Sequence, residues 1–225
     1  GCKEQEHIKI YAKAFLEENI TVVRFDTRNT LGESEGDYAN ANITNYYADL
    51  TTVIDWAKKQ GWYQEPFYLA GHSLGGICIL LYAAKNPGEL KGIAPTSTLI
   101  SGELVLLREP KDKVEEWNKT GWKISPSTTK TGLQKKLKWH QFVEDKKKYD
   151  ILPETNKLTM PVLLIVGEKD RGTPPEDQKK LYDKLPGDRE MHIIKNAPHT
   201  FREEEQLTEI FTIFKKWIEK VQTSS

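Results

Sequence analysis

The sequence predicts an α/β fold in which helices cover both faces of a mostly parallel β-sheet. Segments with helical periodicity alternate along the chain with short apolar runs, a pattern typical of right-handed crossovers between parallel strands. The stretch GHSLGG lies between one such run and one such helix. With 225 residues, 37% of them hydrophobic, the chain is long enough to bury a sizeable core. We therefore predict one domain, residues 1–225.

The first elements are a helix and a strand. Residues 4–19 place Tyr11 and Phe15 on one apolar stripe, which predicts an amphipathic helix. Residues 20–26, ITVVRFD, are rich in β-branched side chains and predict a buried strand. A loop rich in glycine and asparagine follows, and apolar periodicity then predicts a second helix over 44–60.

The same two patterns predict the rest of the sheet and its helices. Apolar runs bounded by turn residues predict further strands at 66–72, 90–98, 160–170 and 189–195. Helical periodicity predicts a helix directly after GHSLGG and two more at 175–185 and 206–221.

Residues 99–158 interrupt this alternation, because they contain charged helical stretches and no convincing buried strand. We interpret this segment as a helical cap over the strand ends. Trp117, Trp122, Trp139 and Leu106 would then line a pocket for an uncharged acyl or aryl group, since ligand pockets are mostly apolar. The alternative is a peripheral excursion in which these side chains form a small core of their own.

Composition excludes several classes of function. The 33 lysines and arginines balance 33 aspartates and glutamates, so no net field favours nucleic acid or an anionic membrane. No apolar run is long enough for a membrane span, and no signal peptide is visible, which predicts a cytoplasmic protein. Cys2 and Cys78 form no disulfide framework, and no clustered Cys/His spacing indicates a metal. We expect no cofactor; the oligomeric state is left open.

The serine of GHSLGG has the surroundings of a nucleophile. Ser73 lies between Gly71 and Gly75 in a G-x-S-x-G pattern, with a strand before it and a helix after it. A sharp turn at this point would lift the hydroxyl off the strand end, and the two glycines would let strand and helix approach closely. The backbone N–H of Leu74 would face the same space. The alternative is a Gly-Ser loop that only turns the chain.

A serine nucleophile needs a base that is itself oriented by a third group. His199 follows the last predicted strand, at the edge of the sheet where ligands gather in open α/β folds. Asp170 ends a strand at that same edge, and Glu168, two residues earlier, is the rival carboxylate. His72 directly precedes Ser73, so its side chain is expected on the opposite side of the strand.

The chain order Ser73, Asp170, His199 resembles the α/β-hydrolase family. The stretches GHSLGG, VGEKDRGTPPE and NAPHTF match its nucleophile, acid and histidine motifs, although Asn29 stands where glycine is usual in the loop after 20–26. General layout is similar to cinnamoyl and feruloyl esterases and to the monoglyceride-lipase and S33-peptidase-like group. The resemblance implies a serine hydrolase that cleaves short to medium acyl or aryl esters of small molecules through an acyl-enzyme.

The resemblance breaks at the start of the chain. Family members have a central strand and an H-G-x loop before the first helix, whereas this sequence begins GCKEQEH. The expectation is an N-terminally truncated fold, in which the strand at 66–72 lacks one neighbour. The Leu74 amide would be one oxyanion donor, and the second would lie upstream of Gly1. Peptidase, thioesterase and acyltransferase chemistry stay open, as does a non-catalytic binding protein.

Overall fold

The computed structural model describes residues 2–127 and 132–223. Its strands are β1 Phe67–His72, β2 Leu90–Thr96, β3 Trp122–Pro126, β4 Gln134–Lys138, β5 Val162–Gly167 and β6 Arg189–Ile194. Its α-helices are α1 Glu6–Glu17, α2 Ile43–Ala57, α3 Leu74–Lys85, α4 Gly102–Leu106, α5 Lys111–Thr120, α6 Trp139–Lys146, α7 Pro175–Lys184 and α8 Glu204–Thr223. Short 3-10 helices span Tyr38–Asn40, Pro87–Glu89 and Leu152–Lys157.

The main sheet has the order β1-β2-β5-β6, and all of its neighbouring strands are parallel. Helices cover both faces, as alternate residues of β5 demonstrate. Leu163 and Ile165 pack in one buried cluster with α1 and α8, whereas Val162 and Leu164 pack in another with α2, α3 and α7. The predicted α/β fold is therefore confirmed. Across the described residues, none of the helices combines the length and apolar composition that a membrane span requires.

The strand predicted at 20–26 is wrong. These residues have no regular secondary structure and belong to neither sheet, and Val23 is exposed. β-branched residues favour an extended backbone, yet a strand also needs a hydrogen-bonded neighbour. Among the described strands, β1 pairs with β2 alone and lies at the edge of the main sheet, as expected for the strand at 66–72. Asp26 shapes the following turn instead, accepting hydrogen bonds from the backbone N–H groups of Lys3 and Glu33.

Residues 99–158, which we call the cap, leave the main sheet after β2 and return to it at β5. They contain α4, α5, α6 and an antiparallel hairpin of β3 and β4 that sequence analysis did not predict. The hairpin lacks the apolar pattern of a buried strand because it is only partly buried. Trp122 and Ile124 are exposed, and the strand opposite is rich in lysine. Residues 128–131, between the two strands in sequence, lie outside the described residues.

Candidate active site

Ser73 occupies the turn between β1 and α3. Its backbone has φ 57° and ψ −115°, a left-handed conformation that is unfavourable for a residue with a Cβ atom. The Ser73 N–H donates to the Thr96 carbonyl at 3.0 Å, which fixes the turn to β2. A Cβ atom on Gly71 would lie 2.6 Å from the Gly75 carbonyl oxygen, whereas one on Gly75 would meet nothing within 4 Å. The close approach of β1 and α3 therefore requires a glycine at position 71 but not at position 75.

His199 lies in the loop after β6 and reaches both of its predicted partners. Its Nε2 atom is 2.9 Å from Ser73 Oγ, and its Nδ1 atom is 2.8 Å from Asp170 Oδ2. The imidazole side chain is 36% exposed, so a substrate can approach it, while the Asp170 side chain is fully buried. Three side chains from three separate strand ends thus form one continuous row of hydrogen bonds.

The Asp170 carboxylate is held from several directions. The backbone N–H groups of Gly172 and Thr173 donate to its Oδ1 atom at 2.9 and 3.0 Å. Burial alone would raise the pKa of Asp170, but hydrogen bonds from His199 and Thr173 outweigh it and lower the pKa to about 2. Asp170 is therefore ionised at neutral pH. The rival, Glu168, is exposed and accepts a hydrogen bond from the Asn196 backbone N–H at 2.7 Å.

Thr173 is a supporting residue that sequence analysis missed. Its Oγ1 atom lies 2.9 Å from Asp170 Oδ2, 2.9 Å from the Ser97 carbonyl oxygen and 3.3 Å from His199 Nδ1. It therefore ties the loop of the acid to the end of β2. The available signal was its place three residues after a strand-end aspartate and directly before Pro174, where a hydroxyl commonly stabilises a turn.

Leu74 opens α3, and its N–H belongs to the first helical turn, whose N–H groups have no intrahelical acceptor. That the Leu74 N–H stabilises a negatively charged oxygen beside Ser73 stays a prediction, and so does a second oxyanion donor upstream of Gly1. Among the described residues, no group of three or more His, Cys, Asp or Glu side chains is placed to hold a metal ion.

The predicted pocket residues occupy different environments within the cap. Trp117 and Trp139 are buried against each other, with ring centroids 4.9 Å apart, and Trp139 Nε1 donates to Asn118 Oδ1 at 2.7 Å. Their burial favours the alternative that they form the core of the cap. Trp122 is 38% exposed on the hairpin, and Leu106 is partly buried at the end of α4. The assignment of these four residues to a substrate pocket stays a prediction.

The fold and this strand-end serine define the class of the protein, which is an α/β-hydrolase of the serine hydrolase type. A family model described as serine aminopeptidase, S33 matches residues 4–154 and 146–206. The chain belongs to that family.

Known proteins similar to the chain span several hydrolase types. The mouse mitochondrial palmitoyl-protein thioesterase ABHD10 is 22% identical over 204 residues, which cover 89% of this chain and 66% of that protein. The structure of Est1E from Butyrivibrio proteoclasticus with ferulic acid bound has a TM-score of 0.83 at 22% identity, covering 99% of this chain and 86% of that one. A monoacylglycerol lipase from Paleococcus ferrophilus has a TM-score of 0.69 at 21% identity, covering 98% and 92%. At these identities the structures demonstrate a shared fold.

Proposed function

We propose that this protein hydrolyses carboxylic esters with short to medium acyl or aryl groups through an acyl-enzyme on Ser73. One observation carries the proposal: the row of hydrogen bonds from Ser73 Oγ through His199 to Asp170, at 2.9 and 2.8 Å. An alcohol is a weak nucleophile at neutral pH, and a base at this distance, oriented by a buried carboxylate, is the arrangement that activates it.

In the first half-reaction, His199 Nε2 takes the proton of Ser73 as the hydroxyl oxygen attacks the ester carbonyl carbon. The carbonyl oxygen becomes an oxyanion, which the Leu74 N–H stabilises. Collapse of this intermediate breaks the bond to the alcohol, which leaves with the proton held by His199. Asp170 accepts the Nδ1–H of His199, so it sets the tautomer and stabilises the imidazolium.

The second half-reaction releases the acid. His199 removes a proton from water, the hydroxide attacks the acyl carbon, and the second tetrahedral intermediate collapses with return of the proton to Ser73 Oγ. Ester substrates are supported by the ferulic acid bound to Est1E and by the monoacylglycerol lipase, which share this fold. A shared fold does not by itself determine the reaction, which depends on the side chains of the site.

A thioester is the second candidate substrate, because one relative of the chain is a palmitoyl-protein thioesterase. Ser73, activated in the same way, can attack a thioester carbonyl, and the thiolate then leaves more readily than an alkoxide. Butyryl groups presented as an oxygen ester, a thioester and an anilide hold the acyl group constant, so their relative kcat/KM values report the leaving-group preference. A higher value for the thioester than for the ester would favour this candidate, and a preference for the anilide would favour the peptidase chemistry in the family's name.

Fluorophosphonate labelling tests the nucleophile directly. The wild-type protein should be modified at Ser73 and should hydrolyse p-nitrophenyl butyrate, whereas the Ser73→Ala variant should be unlabelled and should lose about 10³-fold or more in kcat. Ser125→Ala, which removes a hydroxyl from the cap hairpin, is the matched control and should behave as wild type. Full activity in a folded Ser73→Ala variant would overturn the proposal. A folded wild-type protein that is neither labelled nor active would favour a non-catalytic binding protein.

A further inference from the structure

Two histidines lie directly behind the hydrogen-bonded row of Ser73, His199 and Asp170, which we call the catalytic row. His7 of α1 is fully buried, and its ring centroid is 4.5 Å from that of His72, the last residue of β1. The ring of His72 is in turn 4.9 Å from the ring of His199. Phe201, also buried, contacts both His7 and His72 edge-on. The base of the proposed reaction is therefore the outermost of three adjacent imidazoles.

His72 and His199 are joined by a hydrogen bond that the catalytic row does not include. His72 Nε2 is 2.7 Å from the backbone carbonyl oxygen of His199. A carbonyl oxygen only accepts, so Nε2 of His72 carries the hydrogen. Burial lowers the pKa of His72 well below its usual value, with the neighbouring imidazoles adding to the effect, and burial lowers the pKa of His7 to about 3. Both rings are neutral at pH 7.

We propose that His72 is a positioning residue that holds the His199 base by its main chain. The inference rests on the proposed function, because it assigns His72 a part in the same reaction. His199 lies on a loop, and its side chain is held by hydrogen bonds at the two ring nitrogens, to Ser73 at Nε2 and to Asp170 and Thr173 at Nδ1. The hydrogen bond from His72 fixes the main-chain carbonyl group of His199. His72 directly precedes the nucleophile Ser73 in sequence. The 2.9 Å distance between Ser73 Oγ and His199 Nε2 is thereby set by a strand and not by a loop alone.

The neutral state of His72 suits this position. If His72 were protonated, its charge would repel the imidazolium that forms on His199, because the two ring centres are 4.9 Å apart. A neutral donor provides the hydrogen bond without that repulsion. His7 packs against the ring of His72, with centroids 4.5 Å apart.

Three substitutions at His72 separate the hydrogen bond from ring packing. His72→Phe keeps an aromatic ring and removes the donor, and we expect kcat for p-nitrophenyl butyrate to fall about 10- to 100-fold with KM within about twofold of wild type, as for a displaced catalytic group. His72→Gln places an amide N–H near the original Nε2 position and should restore kcat to within about threefold of wild type. His72→Asn is too short to reach the carbonyl and should resemble His72→Phe.

The matched control is His7→Phe, which keeps a ring against His72 and leaves the hydrogen bond intact, so kcat should be unchanged. Equal losses in His72→Phe and His72→Gln, or wild-type kcat in folded His72→Phe, would overturn the proposal. A readout independent of turnover is the low-field proton resonance of His199 Nδ1–H bonded to Asp170, which should broaden in His72→Phe and persist in His72→Gln.

The same resonance distinguishes a failure of the positioning role of His72 from a failure of the proposed esterase function. If wild type shows neither fluorophosphonate labelling nor ester hydrolysis, the proposed function fails. Loss of the resonance in His72→Phe alone would then still support the positioning role, and an unchanged resonance would contradict it.

Discussion

The cap and the strand ends that carry Ser73 are held by different kinds of interaction. At the strand ends, hydrogen bonds that involve backbone groups fix each of the three reacting residues, beginning with the Ser73 N–H, which donates to the Thr96 carbonyl. Asp170 receives two N–H groups from its own loop, and the His199 carbonyl accepts from His72. Little in this region can move without breaking a buried hydrogen bond, which costs about 1–3 kcal/mol.

The cap depends on its own aromatic packing and on a few polar ties to the main domain. Asp145 of α6 accepts from the Ile43 N–H at 2.7 Å, at the start of α2. Arg108 donates to both carboxylate oxygens of the buried Asp177 on α7, at 2.6 and 2.7 Å. The difference predicts that the two regions are separable: a change in the packing of the cap should leave the reacting groups at the strand ends in place.

The largest effect is expected when the negative charge of Asp170 at the strand ends is removed. Asp170→Asn keeps the shape of the side chain but leaves His199 without the carboxylate that sets its tautomer, so we expect kcat to fall about 10³- to 10⁴-fold. Because the pKa of Asp170 is lowered to about 2, its carboxylate is ionised well below neutrality. Protonation of Asp170 should therefore make no contribution to the wild-type kcat profile measured from pH 6 to 9.

Glu168→Gln is the control for this prediction, because Glu168 lies two residues away and is exposed. Its kcat should match wild type. A large loss in Glu168→Gln together with a small loss in Asp170→Asn would reverse the assignment of the acid.

The main sheet and the meeting of three side chains at its edge follow from local patterns. Apolar periodicity located β1, β2, β5 and β6, and parallel strands bring their carboxyl ends to one edge. The contributions of Thr173 and His72 could not be predicted in the same way. Both depend on backbone carbonyl groups far away in sequence, those of Ser97 and His199, whose positions only the folded chain defines.

The next prediction tests the cap. Trp139 is buried, so Trp139→Ala should cost about 3–5 kcal/mol of the free energy of unfolding measured in urea, as for other buried aromatic side chains. Trp122 is 38% exposed, and Trp122→Ala should cost less than about 1 kcal/mol. Ester hydrolysis by Trp139→Ala below its unfolding transition should retain the kcat for p-nitrophenyl acetate if the cap and the strand ends are separable.

The same two variants sharpen the pocket assignment. A series of p-nitrophenyl esters from acetate to octanoate reports acyl-length preference as relative kcat/KM. A change in that preference in Trp122→Ala without a change in stability would support Trp122 as a pocket residue. Equal loss on every ester would mean that the aromatic residues of the cap are structural only.

The unpredicted parts of the fold have a common physical cause. Residues 20–26 have the composition of a strand, but no described segment pairs with their backbone. The β3–β4 hairpin pairs well despite polar side chains, because its main-chain hydrogen bonds require no apolar pattern. In both places pairing, which is a long-range property, overrides local composition.

A third prediction compares the two glycines around Ser73. Gly71→Ala forces a Cβ atom against the Gly75 carbonyl, so we expect a loss of about 1–3 kcal/mol in stability and a lower kcat from displacement of the turn. Gly75→Ala meets open space, and alanine is favoured over glycine in a helix by up to about 1 kcal/mol. Its thermal unfolding temperature should not fall. Equal destabilisation by both substitutions would contradict this account of the motif.

The smallest expected effect concerns the tie between the cap and α2. The start of α2 has two acceptors: Asn42 accepts from the Asn45 N–H at 2.7 Å within the helix, and Asp145 accepts from Ile43 across to the cap. Removing either should cost about 1–2 kcal/mol, because both satisfy N–H groups of the first turn and place a polar oxygen at the positive end of the helix.

Hydrogen exchange distinguishes the two acceptors, although their costs in stability are similar. Asn42→Ala should increase amide exchange in the first turn of α2 alone, whereas Asp145→Ala should increase it there and also in α6, because the carboxylate is the link between these helices. The rate of p-nitrophenyl acetate hydrolysis should change less than about threefold in either variant, since neither residue contacts the catalytic row. If exchange in α6 is unaffected by Asp145→Ala, the cap is held by its apolar contacts, and its polar tie to α2 serves only to cap the helix.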